Sequence, residues 1–133
     1  MPVASLSVKM KLKPGSRAAI LNAPDGYLKE FSPEGVSLDQ SLSGQYDWIQ
    51  IFVRSQAELE ALIPKVEAAL KSVSLLWISF PKGTSKIQTD LTRDKGWDSV
   101  QGLKWVTLIS VNETWSAFSL RLPKPGENIR VRR

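Results

Sequence analysis

The 133-residue sequence contains no cysteine and no histidine. Without cysteine it has no disulfides, no thiolate nucleophile, and no zinc-ribbon or iron–sulfur ligands. Without histidine it lacks the usual general base near neutral pH and the commonest ligand of zinc and copper. It also lacks an apolar run of about 18 residues and the basic and apolar segments of a signal peptide. These absences favour a non-catalytic protein without a cofactor over an enzyme, and they predict a cytoplasmic location without membrane association.

Charge is unevenly distributed along the chain, whose formal net charge is +5. Residues 1–13 and 124–133 each carry a net charge of +3, whereas residues 14–123 carry −1. The basic character therefore belongs to the two ends, and a basic face for nucleic acid is not expected. Weak, salt-sensitive nucleic-acid binding through these tails remains an alternative.

Three apolar runs predict strands buried inside a sheet, namely Arg17–Leu21, Tyr46–Val53 and Leu75–Phe80. They are short and end at turn-forming or proline residues, and the second is rich in β-branched and aromatic side chains. The pattern also predicts a brief edge strand at Val36–Leu38. The segment Val3–Leu12 fits strand alternation and one helical face equally well, so both remain open.

A capping box at the start of a periodic segment predicts a helix. The Ser55 hydroxyl can accept a hydrogen bond from the Glu58 amide, and the Glu58 carboxylate can accept one from the Ser55 amide. Pro64 predicts a kink or a restart within this helix. The apolar residues that recur at helical spacing and would cover a sheet are Leu59, Leu62, Ile63, Val66 and Leu70.

Two further elements follow the third apolar run. A cap at Thr89 or Asp90 predicts a short helix that runs to about Gln101. Lys104–Val111 and Trp115–Leu122 are two strand patterns joined by three residues, which is typical of an antiparallel hairpin.

Strands that alternate with helical segments predict parallel βαβ units. The fold class is therefore α/β: a single small Rossmann-like three-layer domain whose mostly parallel sheet is closed by the C-terminal antiparallel hairpin. Residues 14–123 form its folded body, with residues 1–13 and 124–133 as basic terminal segments. An uncovered edge at Val36–Leu38 or Lys104–Val111 would allow dimerisation, so monomer and dimer both remain open.

The order of these elements resembles the second half of a class I methyltransferase fold. Tyr46–Phe52 is similar to that family's fourth strand, which often begins with an aromatic residue and Asp. Leu62–Leu70 followed by Leu75–Phe80 is similar to its helix and fifth strand, and the last two strands are similar to its sixth and seventh. The resemblance spans about residues 16–122.

The turn after the first strand departs from that family. Methyltransferases bind the methyl donor with a glycine-rich turn there, whereas Leu21–Gly26 holds one glycine, and Pro24 has no amide hydrogen. No acidic residue follows a well-formed second strand at the spacing that would hold ribose hydroxyls. The resemblance therefore implies the fold without the donor site, and no cofactor is expected.

A closer resemblance is to a family of small bacterial proteins known as a domain of unknown function. It depends on Leu76–Lys82, Thr89–Asp94, Thr114–Ala117, Lys13–Gly15 and Asn22–Pro24. This resemblance implies the Rossmann-like fold and assigns no chemistry.

Ligands of open α/β sheets bind beyond the carboxyl ends of the parallel strands. The loops predicted at those ends are Asn22–Tyr27, Arg54–Ser55, Pro81–Lys86 and Asn112–Trp115. The methyltransferase-like strand order places the start of the last strand beside the end of the third apolar run. The candidate ligand-binding residues are therefore Lys82, Thr84, Ser85, Lys86, Asp90, Arg93, Trp115 and Ser116, with Asn22 and Asp25 nearby.

The chemistry of these residues suits the phosphate or carboxylate of a small anionic metabolite, because lysines, hydroxyls and a helix start come together. The leading functional hypothesis is a non-catalytic module that binds such a ligand or a protein partner. The alternative is an atypical enzyme with Lys82 and either Asp90 or Asp94 as its acid–base pair. Asp90 also has a purely structural explanation as a helix cap. Trp97 and Trp115 are expected to be the more exposed of the five tryptophans.

Overall fold

The computed structural model describes residues 10–13, 15–27, 36–82, 89, 91, 97, 100 and 103–122. Within these residues, the apolar runs form strands and the capped amphipathic segment forms a helix. In chain order the elements are β1 (Arg17–Leu21), β2 (Ser37–Asp39), β3 (Tyr46–Phe52), α1 (Gln56–Ala68), β4 (Leu70–Pro81), β5 (Lys104–Ser110) and β6 (Trp115–Arg121). Most of the expected helix between Thr89 and Gln101, and residues 3–9 of the ambiguous first segment, lie outside the described residues.

The described strands form a six-stranded sheet in the order β2-β1-β3-β4-β6-β5. Strands β2, β1, β3 and β4 are parallel to one another, and β6 is antiparallel to both of its neighbours, β4 and β5. The predicted α/β class, with a mostly parallel sheet and a terminal hairpin, is confirmed. The edge strand expected at Val36–Leu38 is β2, shifted by one residue.

Strand β4 begins earlier than the apolar pattern indicates. It starts at Leu70 instead of Leu75. Tyr46 of β3 pairs with Leu70 and Trp48 pairs with Leu75, so the residues of β4 between these two pairs form a bulge. The Ser74 hydroxyl stabilises the bulge by donating to the Tyr46 carbonyl at 2.5 Å. Polar residues in this stretch concealed the strand, because a bulge interrupts the alternation on which pattern analysis depends.

Apolar residues cover both faces of the sheet, giving three layers. The residues that pack on the first face include Leu59, Ile63 and Val66 of α1, together with Leu91, Trp97, Val100 and Leu103. The second face combines strand residues Trp48, Trp77 and Trp115 with Met10, Leu12 and Tyr27 from outside the strands.

The segment before β1 is tied to the second face through one backbone atom. The carbonyl oxygen of Met10 accepts hydrogen bonds from the indole nitrogens of Trp48 and Trp77, each at 2.9 Å. Met10 and Leu12 are buried, whereas the intervening Lys11 is exposed. The charge pattern set residues 1–13 apart from the folded body, but these two apolar residues belong to the core.

Helix α1 begins with the predicted capping box, with one difference. The Ser55 hydroxyl accepts from the Glu58 amide at 3.2 Å, and the Glu58 carboxylate accepts from the Arg54 amide at 2.6 Å, one residue before the expected donor. The helix continues through Pro64 without a restart. Pro64 and Glu60 are exposed, so water can bind the Glu60 carbonyl that loses its amide partner. No helix in the described part of the chain has the length and apolar character needed to span a membrane.

A cluster around Arg17 joins the starts of β1 and β3. The Arg17 guanidinium donates to the carbonyls of Gln45 (2.6 Å) and Ser43, and it lies 4.1 Å from the centre of the Tyr46 ring. The Tyr46 hydroxyl donates to the Asp39 carboxylate at 2.7 Å. These contacts fix the connection between β2 and β3 against the amino end of the sheet.

Asp47 makes the stability of the fold depend on pH in the acidic range. The Arg17 amide donates to its carboxylate at 2.8 Å and Lys71 forms a salt bridge with it, so both hold the pKa of the Asp47 carboxyl below its usual value. A folded-state pKa below the unfolded-state value stabilises the fold above about pH 4, and this contribution is lost as the pH falls through the folded-state pKa. Because the Asp47 side chain is 36 % exposed, the expected loss is below about 1 kcal/mol.

Urea unfolding of the wild type and of Asp47→Asn, at about pH 7 and about pH 3, measures this contribution. The variant should lose less of its free energy of unfolding on acidification than the wild type does. Glu67→Gln, which changes an exposed acid on α1, is the matched control and should behave like the wild type. Equal losses in all three proteins would contradict the assignment.

Candidate functional site

The four parallel strands end at one edge of the sheet, which we call the carboxyl edge, and β2 ends there at Asp39. Strand β1 ends at Leu21, β3 at Phe52 and β4 at Pro81, and their parallel registers bring these ends to the same side. Strand β6 starts at this edge, because Trp115 pairs with Pro81. The structure therefore places Trp115 and Ser116 beside the end of β4, as the strand order predicts.

Half of the predicted site residues can be located. Asn22, Asp25, Lys82, Trp115 and Ser116 are described, whereas Thr84, Ser85, Lys86, Asp90 and Arg93, with Asp94 of the alternative acid–base pair, lie outside the described residues. The located residues form two groups along the carboxyl edge. One group follows β1 and the other lies at β4 and β6, two strand spacings or about 10 Å away.

Lys82 connects the end of β4 to the hairpin. Its amide donates to the Thr114 carbonyl at 2.8 Å, and its ammonium group donates to the Ser110 hydroxyl at 2.6 Å. Thr114 precedes β6 and Ser110 ends β5, so both bonds hold the hairpin turn against β4. Lys82 thus has a structural role at the carboxyl edge.

The two indoles expected to be the more exposed pair are both buried, with Trp97 at 2 % and Trp115 at 3 % exposure, which corrects that prediction. The Trp115 ring meets the Phe52 ring edge-on at 5.1 Å. Trp97 meets Phe80 and Phe118 edge-on at 5.1 and 5.3 Å. Both indoles are used in core packing, so neither offers an exposed face on which a nucleic-acid base could stack.

A cavity of about 410 Å³ lies where β1 and β2 reach the carboxyl edge. Its volume falls within the range of small-molecule sites, about 300–1,000 Å³. The residues that line it are Ile20, Asn22, Ala23, Pro24, Asp25, Gly26 and Gln40. Asn22 and Asp25 were predicted from the sequence. Gln40 was missed because it follows a strand of only three residues, which gave no clear end to search.

The wall of this cavity is a tight turn that the sequence encodes locally. Asn22 leaves β1 with a φ of +59°, a left-handed conformation that asparagine tolerates better than most residues. Gly26 has a φ of +83°, which suits the third position of a turn closed by the Tyr27 amide donating to the Pro24 carbonyl at 3.0 Å. The turn therefore forms one wall of an open cavity at the end of β1.

The polar groups that face this cavity are mixed in character. Asn22 and Gln40 supply amides that both donate and accept, and Asp25 supplies a carboxylate that accepts. All three residues are exposed. Asp25 is the charged residue of the lining, so the cavity has negative character and suits a neutral or cationic ligand better than a phosphate.

A buried chain of hydrogen bonds lies behind the turn. The Tyr27 hydroxyl donates to Gln50 Oε1 at 2.8 Å, and Gln50 Nε2 donates to the Ser79 hydroxyl at 2.9 Å. Gln50 and Ser79 are fully buried. Burial raises the pKa of the Tyr27 phenol, with the hydrogen bond to Gln50 acting in the opposite direction, so the hydroxyl keeps its proton at neutral pH. The sequence offered one signal of these hydrogen bonds, a glutamine between two isoleucines in β3.

Solved structures share this fold. A ribosomal protein methylase from Lactobacillus delbrueckii subsp. bulgaricus matches with a TM-score of 0.55 at 11 % identity, over 91 % of this chain and 77 % of that chain. A TehB-like SAM-dependent methyltransferase from Corynebacterium glutamicum matches with a TM-score of 0.58 at 9 % identity, over 91 % and 87 %. A tRNA methyltransferase from Bacillus subtilis matches with a TM-score of 0.55 at 11 % identity, over 88 % and 64 %. No protein-family model matches the chain, and no curated protein matches its sequence.

These likenesses establish a methyltransferase-like fold, and the activities named belong to the matched proteins. They correct the sequence-based preference for a non-catalytic module over an enzyme, because these three matched proteins, which share the fold over 88–91 % of this chain, are methylases or methyltransferases. The reasoning from absent histidine and cysteine was too strict. Methyl transfer between two bound molecules depends on their alignment, and it requires neither a thiolate nor an imidazole.

Proposed function

We propose that the chain is a methyltransferase that binds S-adenosylmethionine in the cavity lined by Asn22–Gly26 and Gln40. The observation that carries the proposal is the position of this cavity. It lies beyond the carboxyl ends of β1 and β2, where open α/β sheets bind ligands, in a chain whose fold is similar to that of solved methyltransferases.

The residues that line the cavity fit such a ligand. Ala23 and Pro24, which are partly exposed, offer apolar surface for a base. Asn22 and Gln40 can exchange hydrogen bonds with the base and the ribose, and the Asp25 carboxylate can accept from hydroxyls or attract a positive charge. The turn holds a single glycine, but Asn22 already adopts the left-handed conformation that lets the chain leave β1 sharply. The departure from a glycine-rich turn therefore changes which groups can form hydrogen bonds to the ligand, and it leaves the cavity open.

S-adenosylmethionine supplies a methyl group activated by an adjacent sulfonium. The chain's own residues bind and orient the ligand, and the buried aromatic rings of Tyr27, Phe52 and Trp115 pack against one another behind the turn. Orientation of this kind can account for much of the acceleration of a two-substrate reaction. The negative character of the cavity favours the positively charged donor over ligands that carry phosphate.

Isothermal titration with S-adenosylmethionine tests the proposal. The wild type should bind, and Asp25→Asn should weaken binding about 10-fold or more, since hydrogen bonds to charged groups are worth about 1.5–3 kcal/mol. Glu113→Gln is the matched control, because it removes an exposed acid at the same edge of the sheet but outside the cavity lining. Its affinity should equal that of the wild type. Absence of binding by the wild type would remove the proposal.

Several narrower features remain predictions beside this proposal. They are the resemblance to a small bacterial family, the cytoplasmic location, the single-domain organisation, and the choice between monomer and dimer.

The anionic ligand suggested by Lys82 and the loop that follows it also stays a prediction. Its test is a nucleotide titration of Lys82→Ala beside the wild type, and identical affinities would remove it.

A further inference from the structure

Gln50 is a polar side chain in a position that an apolar residue would ordinarily fill. It lies in the middle of β3 between Ile49 and Ile51, and all three residues are fully buried. Burying an amide is unfavourable unless its donor and acceptor atoms are both satisfied. Gln50 meets that condition with partners outside its own strand, Tyr27 after β1 and Ser79 on β4. The Gln50 amide thus connects three separate parts of the fold through its hydrogen bonds.

Tyr27 is the point at which the cavity turn is attached to the sheet. Its backbone amide closes the turn, and its ring meets the Phe52 ring edge-on at 4.8 Å. Tyr27 is 7 % exposed, whereas Asn22, Asp25 and Gly26 are exposed. The ring supplies non-directional packing, and the hydroxyl adds one directional bond to Gln50 that fixes how far the turn sits from β3.

We propose that Tyr27 is a positioning residue for the cavity, acting through the Tyr27–Gln50–Ser79 hydrogen-bond chain. These hydrogen bonds hold the turn Asn22–Tyr27 in the placement that leaves the cavity open. Ligand affinity therefore depends on the Tyr27 hydroxyl, although Tyr27 does not line the cavity. If the turn is released, the binding-competent placement becomes a fraction of the population, and the apparent affinity falls by that fraction. The expected change in ligand affinity rests on the proposed function, whereas the expected ordering of the turn does not.

The test compares two buried hydroxyls at opposite ends of the sheet. Tyr27→Phe removes the hydroxyl of the Tyr27–Gln50–Ser79 hydrogen-bond chain and keeps the ring. Ser74→Ala is the control, because Ser74 is also buried and its hydroxyl donates to the Tyr46 carbonyl at 2.5 Å, but at the amino end of the sheet. Urea unfolding should show that both variants are less stable than the wild type. A dissociation constant for S-adenosylmethionine that rises about 10-fold in Tyr27→Phe and stays unchanged in Ser74→Ala supports the proposal.

A second variant separates positioning from general destabilisation. Gln50→Met removes both hydrogen bonds at similar volume, so adding Tyr27→Phe to it should weaken binding no further. If the two substitutions weaken binding independently and additively, the three residues do not act as one hydrogen-bonded unit. An unchanged dissociation constant in Tyr27→Phe would overturn the positioning role.

Amide hydrogen exchange gives a readout that needs no ligand. The amides of Ala23, Asp25 and Gly26 should exchange faster in Tyr27→Phe than in Ser74→Ala when both are compared with the wild type. This result would support the positioning role even if the wild type does not bind S-adenosylmethionine and the proposed function fails. Equal exchange in the two variants would overturn it, whatever the ligand.

Discussion

The Gln40→Trp variant is expected to lose S-adenosylmethionine binding by at least about 100-fold while keeping its fold. Gln40 lines the cavity from the β2 side, opposite the turn that follows β1. An indole at this position would occupy the space the ligand needs and would remove one amide that can bond to it. Because Gln40 is exposed, its replacement should change the free energy of unfolding by less than about 0.5 kcal/mol. Isothermal titration measures the affinity, and thermal unfolding checks the fold.

The control for bulk is Ser41→Trp, one residue further along the same exposed segment and outside the cavity lining. The Ser41 contact to the Tyr46 hydroxyl uses the Ser41 backbone carbonyl, at 3.0 Å, which the substitution retains. Ser41→Trp should therefore bind the ligand as the wild type does. Binding that survives in Gln40→Trp would place the ligand elsewhere on the molecule.

Trp77→Ala is expected to lower the free energy of unfolding by about 3–5 kcal/mol, the cost typical of removing a buried tryptophan. Trp77 is fully buried at the centre of the second face, next to Trp48. Its removal leaves a large cavity and also deletes one of the two indole hydrogen bonds to the Met10 carbonyl. Urea unfolding measures the change, and a loss below about 1 kcal/mol would show that this face is not closely packed.

Phenylalanine variants separate the hydrogen bonds from the packing. Trp48→Phe and Trp77→Phe each leave the Met10 carbonyl with one indole donor, whereas the double variant leaves a buried carbonyl without either donor. The loss of stability in the double variant should therefore exceed the sum of the two single losses by about 1 kcal/mol or more. Simple additivity would indicate that water reaches the carbonyl.

The sheet was largely predictable because its signals are local. Strands β1 and β3 are apolar runs that end at turn residues or a capping box, and the β5–β6 hairpin has two strand patterns with a short connection. The early start of β4 was not predictable, because a bulge at Leu70 breaks the alternation that reveals a strand. The alternation of Met10 and Leu12 with lysines indicates one apolar face, but the surface that they cover could not be predicted, because it exists only after the sheet has formed.

The sequence placed its main candidate site around Lys82 and Trp115, with Asn22 and Asp25 nearby, and ligand binding by any of these residues stays a prediction. The rule that ligands bind at the carboxyl edge identified Asn22 and Asp25, because it needs only strand direction. It could not identify Gln40, which reaches the cavity from a three-residue strand, or Gln50, whose role appears only when Tyr27 packs above it. The absence of histidine was read as the absence of catalysis, although transfer reactions that depend on alignment need no such residue.

The placement of β6 has a consequence for how the chain refolds. Strand β6 joins β5 through the four residues Val111–Thr114, but on its other side it pairs with β4, as in Pro81 with Trp115 and Leu76 with Leu120. A hairpin closes in about 1–10 μs, whereas pairing between strands separated by a long stretch of chain is slower. The β5–β6 hairpin should therefore form first and dock onto β4 as a preformed unit. Trp115 is buried in the folded chain but would be exposed in the undocked hairpin, so it should become shielded in a late kinetic phase, after the fast hairpin phase has ended.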